Sequence, residues 1–268
     1  MLARVSFVPA IARGADPADD DVVALFADGA LLLADGADRL PLRRDLGALV
    51  PADTVHVGRV GGSAVETAAL DVGAEPPAGF EAVSLRPLHG RLDDEEWALA
   101  GRAFQLAEWD RTHRFCGVCG APTARRDDER SRACSACDHR AYPRVSPAVI
   151  VLITRGDDEV LLGRSAHFPP GVYSTLAGFV DPGESAEDAV RREIREEAGI
   201  EIGEPRWFGS QSWAFPHSLM LGFTAEWASG DLDPDFDEIE DVRWFTRETL
   251  PVMPPSASIA RRLLESWL

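Results

Sequence analysis

The sequence predicts an α/β protein whose main domain is an α/β/α sandwich around a mixed sheet. Three observations lead to this prediction. The first part of the chain alternates short apolar runs with glycine turns, the middle holds two Cys-x-x-Cys pairs, and the last part alternates apolar strands with a helix. We therefore expect an N-terminal β-rich domain ending in a helix at 1–110, a small cysteine-bound insert at 111–143 and the sandwich at 144–268.

The front domain is predicted to consist of hairpins. The turns Asp28-Gly29 and Gly61-Gly62 each separate apolar runs, and a short turn of this composition is a strong hairpin signal. Asp93 and Glu96 have the spacing of a capping box, which predicts that a helix begins there. The arginines at 39, 43 and 44 could meet a phosphate, but we expect them to be solvated surface charges. The expected strands are two within 22–34, then 54–60, 64–70 and 80–88.

The sandwich domain is predicted from apolar runs that alternate with one strongly polar helix. Residues 148–154 form a continuous apolar run rich in β-branched residues, which indicates a strand buried on both faces. A partner strand is expected at 160–163 after the Gly156 turn, and another at 172–180. A strand beginning at 206–208 and one at 218–227 complete the expected sheet.

Composition excludes several classes of protein. The chain has 268 residues, 45% of them hydrophobic, which is long enough for two domains and apolar enough to bury their cores. A net charge of −18 repels nucleic acid, so any polyanion must be received in a local basic or metal-lined site. The chain contains no lysine, which excludes catalytic lysine chemistry. The first apolar run is broken by Pro9, so we expect neither a signal peptide nor a membrane span, and a cytoplasmic location.

The four cysteines predict a structural zinc site. Cys116 and Cys119 form one Cys-x-x-Cys pair, and Cys134 and Cys137 form a second one fourteen residues later. Four thiolates at this spacing match a tetrahedral Zn²⁺ site of the zinc-ribbon type. Disulfides are the main alternative, which a cytoplasmic chain disfavours. Arginines near the cysteines could allow the ribbon to bind nucleic acid, although acidic residues lie between them. Because four cysteines fill the coordination shell of the ion, we expect a structural site and not a catalytic one.

The stretch 178–200 combines a well-bounded helix with a concentration of carboxylates. Ser185 can cap the helix and Gly199 can end it. Glu193 and Glu197 lie four residues apart on one face of the helix, with Glu196 beside them. Repulsion between the carboxylates, and the unfavourable interaction of negative charge with the C-terminal end of the helix dipole, each cost a few tenths to ~1 kcal/mol. The alternative without a function is a surface helix whose negative charge is partly neutralised by neighbouring arginines. Hard cations favour such oxygen ligands, so we expect a divalent-metal site.

This stretch resembles the Nudix box. Gly178, five residues, Glu184, seven residues and then the run Arg192-Glu-Ile-Arg-Glu-Glu-Ala-Gly-Ile200 fill every specified position. The resemblance implies cleavage of a nucleoside diphosphate linked to another group, with Mg²⁺ or Mn²⁺ as cofactor, in the Nudix α/β/α sandwich. It assigns Glu193 and Glu197 as main metal ligands with Glu196 close by, and Arg192 as a residue that orients a glutamate. Such an ion would neutralise diphosphate oxygens and lower the pKa of water.

A second segment narrows the resemblance to one subfamily. Residues 210–218, Ser-Gln-Ser-Trp-Ala-Phe-Pro-His-Ser, are similar to the signature Ser-Gln-Pro-Trp-Pro-Phe-Pro-x-Ser of the NADH pyrophosphatases, which also have a zinc ribbon before the box. Ser212 and Ala214 stand where that signature has proline. Because proline restricts the unfolded chain, we expect its loss to loosen this loop by roughly 0.4 to 1 kcal/mol per position.

The subfamily resemblance also implies substrate contacts across the chain. Tyr142 and Phe179 resemble an aromatic pair that sandwiches nicotinamide, with Tyr142 supplied across a homodimer. The backbone carbonyl of Ala177 and Glu238 align with metal ligands; Glu238 could instead be a solvated acid, and Glu240 could replace it. For Trp213 and Phe215 a plain core role remains open. The substrate-binding residues implied by the resemblance are Arg86, Glu129, Tyr142, Phe179, Gln211, Ser212, Trp213, Ala214, Phe215, Pro216, His217, Ser218 and Ala260.

The resemblance implies an enzyme that splits NADH or NAD⁺ into nicotinamide mononucleotide and AMP, and that removes an NAD cap from RNA 5′ ends. Two alternatives remain. The altered loop could accept a broader range of nucleoside diphosphates, or the chain could be a catalytically silent nucleotide sensor or zinc-ribbon adaptor. A silent protein should have lost box carboxylates, whereas Glu184, Glu193, Glu196 and Glu197 are all present.

Overall fold

The computed structural model describes residues 7–14, 16–234 and 239–268. The chain divides into two compact units, unit 1 at Met1–Arg144 and unit 2 at Val145–Leu268. Each unit has its own sheet and its own buried core. Among the described residues, no helix is long and apolar enough to cross a membrane.

Unit 1 contains a six-stranded sheet in the order β1-β4-β5-β2-β3-β6. Both predicted hairpins are present: Asp28 and Gly29 adopt positive φ values of 46° and 82° between β2 and β3, and Gly61 and Gly62 join β4 to β5. The elements of this part are β1 (Phe7–Pro9), β2 (Val22–Ala27), β3 (Ala30–Ala34), α1 (Arg43–Leu46), β4 (Val55–Val60), β5 (Ser63–Ala69), β6 (Phe80–Val83) and α2 (Asp94–Thr112).

Helix α2 begins where the sequence predicts it, but the capping box forms only in part. The Asp93 side chain accepts the backbone N–H of Glu96 at 2.8 Å, which caps the helix. The Glu96 carboxylate accepts the N–H of Leu40 instead of returning to Asp93. The strand expected at 80–88 ends at Val83, because the chain turns into a 3₁₀ helix at Arg86–Leu88 and Pro87 has no N–H for a ladder.

The arginines at 39, 43 and 44 are not all solvated charges. The Arg43 side chain is only 20% exposed and pairs with the buried carboxylate of Glu66. Glu66 also pairs with Arg13, so it holds two guanidinium groups. The expectation was wrong for Arg43 because the pairing joins residues distant in sequence.

The remainder of unit 1 is a three-stranded sheet that presents the cysteines. Its strands are short, and the two cysteine pairs lie at its turns. The strands are β7 (Thr123–Arg125), β8 (Arg132–Cys134) and β9 (Arg140–Ala141), in the order β7-β8-β9.

Unit 2 contains a mixed seven-stranded sheet with the order β13-β15-β10-β11-β16, in which β12 pairs with β10 and β14 pairs with β15. The long strands β10 and β15 run parallel, and the other pairs are antiparallel. The elements are β10 (Ser146–Arg155), β11 (Glu159–Arg164), β12 (Leu176–Phe179), α3 (Ala186–Ala198), β13 (Glu201–Ile202), β14 (Arg206–Trp213), β15 (Ser218–Ser229), β16 (Asp241–Thr246) and α4 (Ile259–Trp267).

The continuous apolar run of β10 is explained by a core on each face of the sheet. Val149 and Val151 belong to the cluster that buries Ile194 of α3. Ile150 and Leu152 alternate with them and belong to the cluster that buries Leu263 of α4. Helices on both faces of a mixed sheet form the predicted α/β/α sandwich, so the expected fold class is confirmed.

Two predicted segments of unit 2 differ in detail. The strand expected at 172–180 covers only Leu176–Phe179, because Val172 and Ser174 make isolated bridges to Val252 and Gly163 before the chain reaches β10. The segment 210–218 is not a free loop. Residues up to Trp213 belong to β14, which pairs with β15 from Ser218 onward.

Candidate active site

Helix α3 carries the cluster of carboxylates, and local chemistry defines its ends. The Ser185 hydroxyl accepts the N–H of Asp188 at 3.1 Å, and Gly199 ends the helix in the left-handed region at φ 72°. Val190 is fully buried in the core, which fixes the rotation of the helix. As a result Glu193 and Glu197 are only 8% and 7% exposed, although both are acidic.

Gly178 of β12 makes room for the Glu193 carboxylate. A Cβ atom at position 178 would lie 1.9 Å from the carboxyl carbon of Glu193 and 2.0 and 2.1 Å from its oxygens. Glycine is needed here for space rather than for a positive φ. The box glycine therefore brings the backbone of β12 against a buried carboxylate on α3.

Arg192 links the carboxylates of this site to the strand. Its Nε and Nη2 donate to the two oxygens of Glu184 at 2.6 and 2.9 Å, in a bidentate pair. Its Nη1 donates to Glu193 Oε1 and to Glu196 Oε2, both at 2.9 Å. Nη2 also donates to the carbonyl of Phe179 at 2.9 Å. One guanidinium thus offsets the repulsion between three glutamates and holds them near β12.

These contacts keep Glu184 ionised. Its hydrogen bonds with Arg192, together with the N–H of Asp181, lower the pKa of Glu184 to about 2. The carboxylate is therefore charged at neutral pH and anchors Arg192.

The donor set fits a hard divalent cation. It offers only oxygen ligands: the buried carboxylates of Glu193 and Glu197, the exposed one of Glu196, and the carbonyl of Ala177 next to Gly178. A small cation would satisfy negative charge that Arg192 alone does not neutralise. Among the described side chains, these glutamates do not converge as tightly as the cysteines do, since Arg192 Nη1 lies between Glu193 and Glu196.

Glu238, the further expected metal ligand, lies outside the described residues. Its expected substitute, Glu240, pairs with Arg164 Nε at 2.8 Å and its side chain is 52% exposed. Glu240 is thus engaged with β11.

Gln211 connects the hairpin to the C-terminal helix. Its Nε2 donates to the carbonyl of Ala257 at 2.6 Å, and its Oε1 accepts the N–H of Ile259 at 2.7 Å. Both ends of the amide are therefore used by the backbone at the start of α4. Sequence reasoning missed this role, because nothing in the local pattern indicates a partner 46 residues away.

The other residues of 212–218 differ in exposure. Trp213 and Phe215 are partly buried and form an edge-to-face pair with ring centroids 4.8 Å apart. Ser212 lies in β14 opposite Leu219, and Pro216 is exposed. Ala214 and Ser218 are buried, and His217 is half-buried.

The remaining expected substrate contacts are spread over both units. Phe179 in unit 2 and Tyr142 in unit 1 are 56% and 53% exposed, so each offers an aromatic face. In unit 1, the Tyr142 hydroxyl lies 3.4 Å from Glu129, which also accepts from Arg140 at 2.9 Å. Arg86 is exposed at the start of a 3₁₀ helix. Ala260 is buried in α4, where only a small side chain contributes to the core.

The four cysteines form a compact group of sulfur ligands. All four Sγ atoms lie within 4.8 Å of one another, and Sγ of Cys119 lies 3.5 Å from that of Cys134 and 3.4 Å from that of Cys137. A tetrahedron of Zn–S bonds of about 2.3 Å has edges of roughly 3.8 Å, so the group fits zinc. Backbone N–H groups of Cys119 and Val118 lower the pKa of Cys116 to about 6, which favours its thiolate. The N–H of His139 acts in the same direction on Cys137, but the neighbouring thiols of Cys119 and Cys134 outweigh it and raise the pKa of Cys137 to about 12. The cysteines are free rather than disulfide-bonded.

The sandwich, the box helix and its buried glutamates define a Nudix hydrolase domain. Three family models match the chain in order: a rudimentary NUDIX domain of NADH pyrophosphatase type at residues 20–109, an NADH pyrophosphatase zinc ribbon at 111–142 and a NUDIX domain at 144–267.

The chain is also similar to curated proteins and to solved structures. The NAD-capped RNA hydrolase NudC of Stutzerimonas stutzeri is 48% identical over 84% of this chain and 84% of its own length. The protein of that name from Deinococcus radiodurans is 44% identical over 94% and 89% of the two chains. A NUDIX hydrolase structure from Nitrosomonas europaea is 25% identical, with a TM-score of 0.44 over 52% of this chain and 80% of that one.

The chain belongs to the NADH pyrophosphatase family of Nudix hydrolases. The predicted family, and with it the prediction of a Nudix pyrophosphohydrolase, is confirmed.

Proposed function

We propose that this chain hydrolyses the diphosphate bond of NADH and NAD⁺, giving nicotinamide mononucleotide and AMP, and that it removes the NAD cap from RNA 5′ ends. The observation that carries the proposal is the pair of buried carboxylates, Glu193 and Glu197, with Glu193 set against the Gly178 backbone. The name of the curated relatives, NAD-capped RNA hydrolase, supports the substrate class.

Glu193, Glu196 and Glu197, with the carbonyl of Ala177 and with Glu238, would hold Mg²⁺ or Mn²⁺. When bound, the cation supplies charge neutralisation at the diphosphate oxygens and a lowered pKa for water. Arg192 holds Glu184, Glu193 and Glu196 in place by the contacts described above, so it is a positioning residue. The four cysteines would hold a structural Zn²⁺ and take no part in the reaction.

Further aromatic and polar side chains would select the dinucleotide. Phe179 and Tyr142 are more than half exposed, as rings that stack on nicotinamide must be. We infer a homodimer in which Tyr142 comes from the second copy. The remaining proposed contacts are Arg86, Glu129, Gln211, Ser212, Trp213, Ala214, Phe215, Pro216, His217, Ser218 and Ala260.

We also infer a cytoplasmic location. The four cysteines are free thiols grouped as metal ligands, and such a set persists where glutathione and thioredoxin keep thiols reduced.

A broader nucleoside-diphosphate hydrolase is the second candidate. The observation that favours it is the use of both ends of the Gln211 amide by Ala257 and Ile259, which leaves fewer polar groups to read a base. The two candidates are distinguished by the ratio of kcat/KM for NADH to kcat/KM for ADP-ribose, which is high for an NADH-selective enzyme and near one for a broader hydrolase.

The test is to incubate the zinc-loaded chain with NADH and Mn²⁺ and to separate the products by chromatography. Equal amounts of nicotinamide mononucleotide (reduced form) and AMP are expected, and Glu197→Gln should abolish them while the far-UV circular dichroism is unchanged. Absence of AMP from the unmodified chain would overturn the proposed function. A 5′-NAD-capped RNA tested in parallel should yield a 5′-monophosphate end.

A further inference from the structure

A cavity of about 630 Å³ lies within unit 1, between strand β4 and the cysteine-bearing sheet. Its volume is within the range of small-ligand sites. The lining comes from four separate parts of the chain, at 11–13, 53–56, 109 and 123–132. Its basic side chains are Arg13, His56, Arg125, Arg126, Arg130 and Arg132. In a chain with a net charge of −18, this concentration of positive charge is a local exception.

Arg130 is the main source of positive charge in this cavity. Its guanidinium donates to the carbonyls of His56 at 2.9 Å, Ala10 at 2.6 Å and Val57 at 3.3 Å. Within the described part of the chain it forms no ion pair. Burial and the nearby charge of Arg102 both lower its pKa, so its surroundings disfavour the charge it carries. These three bonds leave two of the five N–H donors of arginine for a further acceptor.

His56 presents an unsatisfied polar side chain to the same cavity. It is only 9% exposed, and neither Nδ1 nor Nε2 has a hydrogen-bond partner among the residues that the structure describes. Burial lowers the pKa of its imidazole, which therefore stays neutral near pH 7 and offers one N–H donor and one acceptor. Buried polar groups in folded proteins normally have a partner, so a side chain placed in this way indicates a ligand.

The other arginines are neutralised to different degrees. Arg13 pairs with the buried carboxylates of Asp21 and Glu66, and Arg126 makes a bidentate pair with Asp128. Arg132 is fixed by the buried carboxylate of Asp110 and by Thr123. Arg125 pairs with Asp53, whose side chain is 84% exposed, and its Nε lies 3.6 Å from the buried carboxylate of Asp110, so the charge of Arg125 is offset in part. Of the other acidic lining residues, Glu129 is already engaged by Arg140 and Asp127 is exposed to solvent. The cavity thus retains a net attraction for an anion at the Arg130 end.

We propose that this cavity binds a small phosphate-bearing anion, a phosphate monoester or inorganic phosphate, with Arg130 and His56 as its main ligands and Arg125 in support. The two remaining N–H groups of Arg130 can each donate a charge-assisted hydrogen bond to a phosphate oxygen, and the neutral imidazole N–H of His56 adds a third donor. A small anion is favoured over a nucleic-acid chain because the whole-protein charge repels a polyanion while a single phosphate can enter a local site.

The test follows the ring signals of His56 by NMR in the full-length, zinc-loaded chain without added Mg²⁺ or Mn²⁺, so that phosphate binding at the α3 carboxylates is suppressed. The chain has six histidines, and His56→Gln assigns the signal. Inorganic phosphate, AMP and an uncapped RNA oligonucleotide are titrated separately. We expect the His56 signal to shift saturably with phosphate or with AMP. The ligand that binds with the lower Kd shows whether the site takes free phosphate or a phosphate monoester.

Arg130→Gln should weaken this binding at least tenfold, and Arg126→Gln, at a half-exposed lining residue, should weaken it less. Arg206→Gln removes the same charge from an exposed position in unit 2 and should leave the affinity unchanged. Circular dichroism checks the fold of each variant; if Arg130→Gln does not fold, Arg130→Lys serves in its place. A weak site has a Kd of about 1 mM, so the titration extends to about 10 mM phosphate or AMP. If the His56 signal does not shift saturably within this range, the proposal is overturned. Tighter binding of the oligonucleotide than of AMP at His56 would also overturn it.

Discussion

The carboxyl group of Glu193 occupies the space where a side chain at Gly178 would begin, 1.9 Å from the position of a Cβ atom. The two residues are fifteen positions apart in sequence and belong to β12 and α3. The first residue of the Nudix box, Gly178, therefore contacts a carboxylate near the end of the box. A change at either residue should therefore affect the other.

Gly178→Ala should reduce activity without unfolding the chain. The added methyl group meets the end of a flexible side chain, so Glu193 can rotate away, but its carboxylate then leaves the metal site. We expect kcat/KM to fall roughly 10²-fold or more, as for a misplaced catalytic group, with little change in Tm. Gly203→Ala is the matched control, since its Cβ would meet nothing closer than 3.6 Å. Normal activity of Gly178→Ala would contradict the assigned role of Glu193.

Arg192→Lys should lower activity while retaining the charge. A lysine ammonium cannot make the bidentate pair with Glu184 and at the same time bridge Glu193 and Glu196. We expect a lower kcat and a higher concentration of Mn²⁺ for half-maximal rate. Arg195→Lys on the same helix is the control, because Arg195 is half-exposed and, within the described part of the chain, has Glu201 as its one ion-pair partner. Equal effects of the two substitutions would exclude a positioning role for Arg192.

Gln211→Ala should destabilise unit 2. It removes two hydrogen bonds that hold the start of α4 and leaves the Ile259 N–H without its acceptor, at a cost of about 1–3 kcal/mol. Urea unfolding measures the change. Ser210→Ala, at an exposed position of the same strand, should change stability by less than about 0.5 kcal/mol. If Gln211→Ala raises the KM for NADH at full stability, its main contact is the substrate rather than α4.

Removal of zinc should unfold the three-stranded sheet of unit 1. Cys119→Ser with Cys137→Ser deletes two exposed ligands, and a structural zinc site contributes on the order of 10 kcal/mol to folding. Elemental analysis should find one Zn²⁺ per chain in the unmodified protein and less in the double variant. Retention of one tightly bound zinc by the double variant would show that the cysteines are not its ligands.

The stability of unit 1 should fall below pH 6.5 because of His56. Burial, and the charges of Arg13, Arg130 and Arg59, lower its pKa below the unfolded value of 6.5, against the opposing effect of Glu66. Between the two pKa values the unfolded chain binds more protons, so the free energy of unfolding decreases as pH falls. Urea unfolding between pH 7.5 and pH 5.5 in a phosphate-free buffer should show a smaller decrease for His56→Gln. The same slope in both proteins would mean that His56 titrates normally.

Features encoded in contiguous residues could be predicted from the sequence. Asp28-Gly29 specified a hairpin because few other pairs adopt two positive φ values, and Ser185 and Gly199 bounded α3 by capping chemistry. The four cysteines predicted their own cluster, because two short pairs can turn around one ion.

Features that depend on distant residues could not be predicted. The link from Gln211 to Ala257 and Ile259, the pairing of Arg43 with Glu66, and the cavity around Arg130 each join segments far apart in the chain. Side-chain chemistry shows that such groups need partners, but only the folded chain determines which partners they meet.

The alternation of β10 between two cores limits where this chain can change length. Insertion of one residue inside β10 would move Val149 and Val151 toward α4 and Ile150 toward α3, so both cores would lose their fit at once. The turn that follows, around Gly156 at a positive φ, carries exposed residues and touches neither core. Loop grafts and affinity tags can therefore be inserted at this turn, whereas β10 must keep its length.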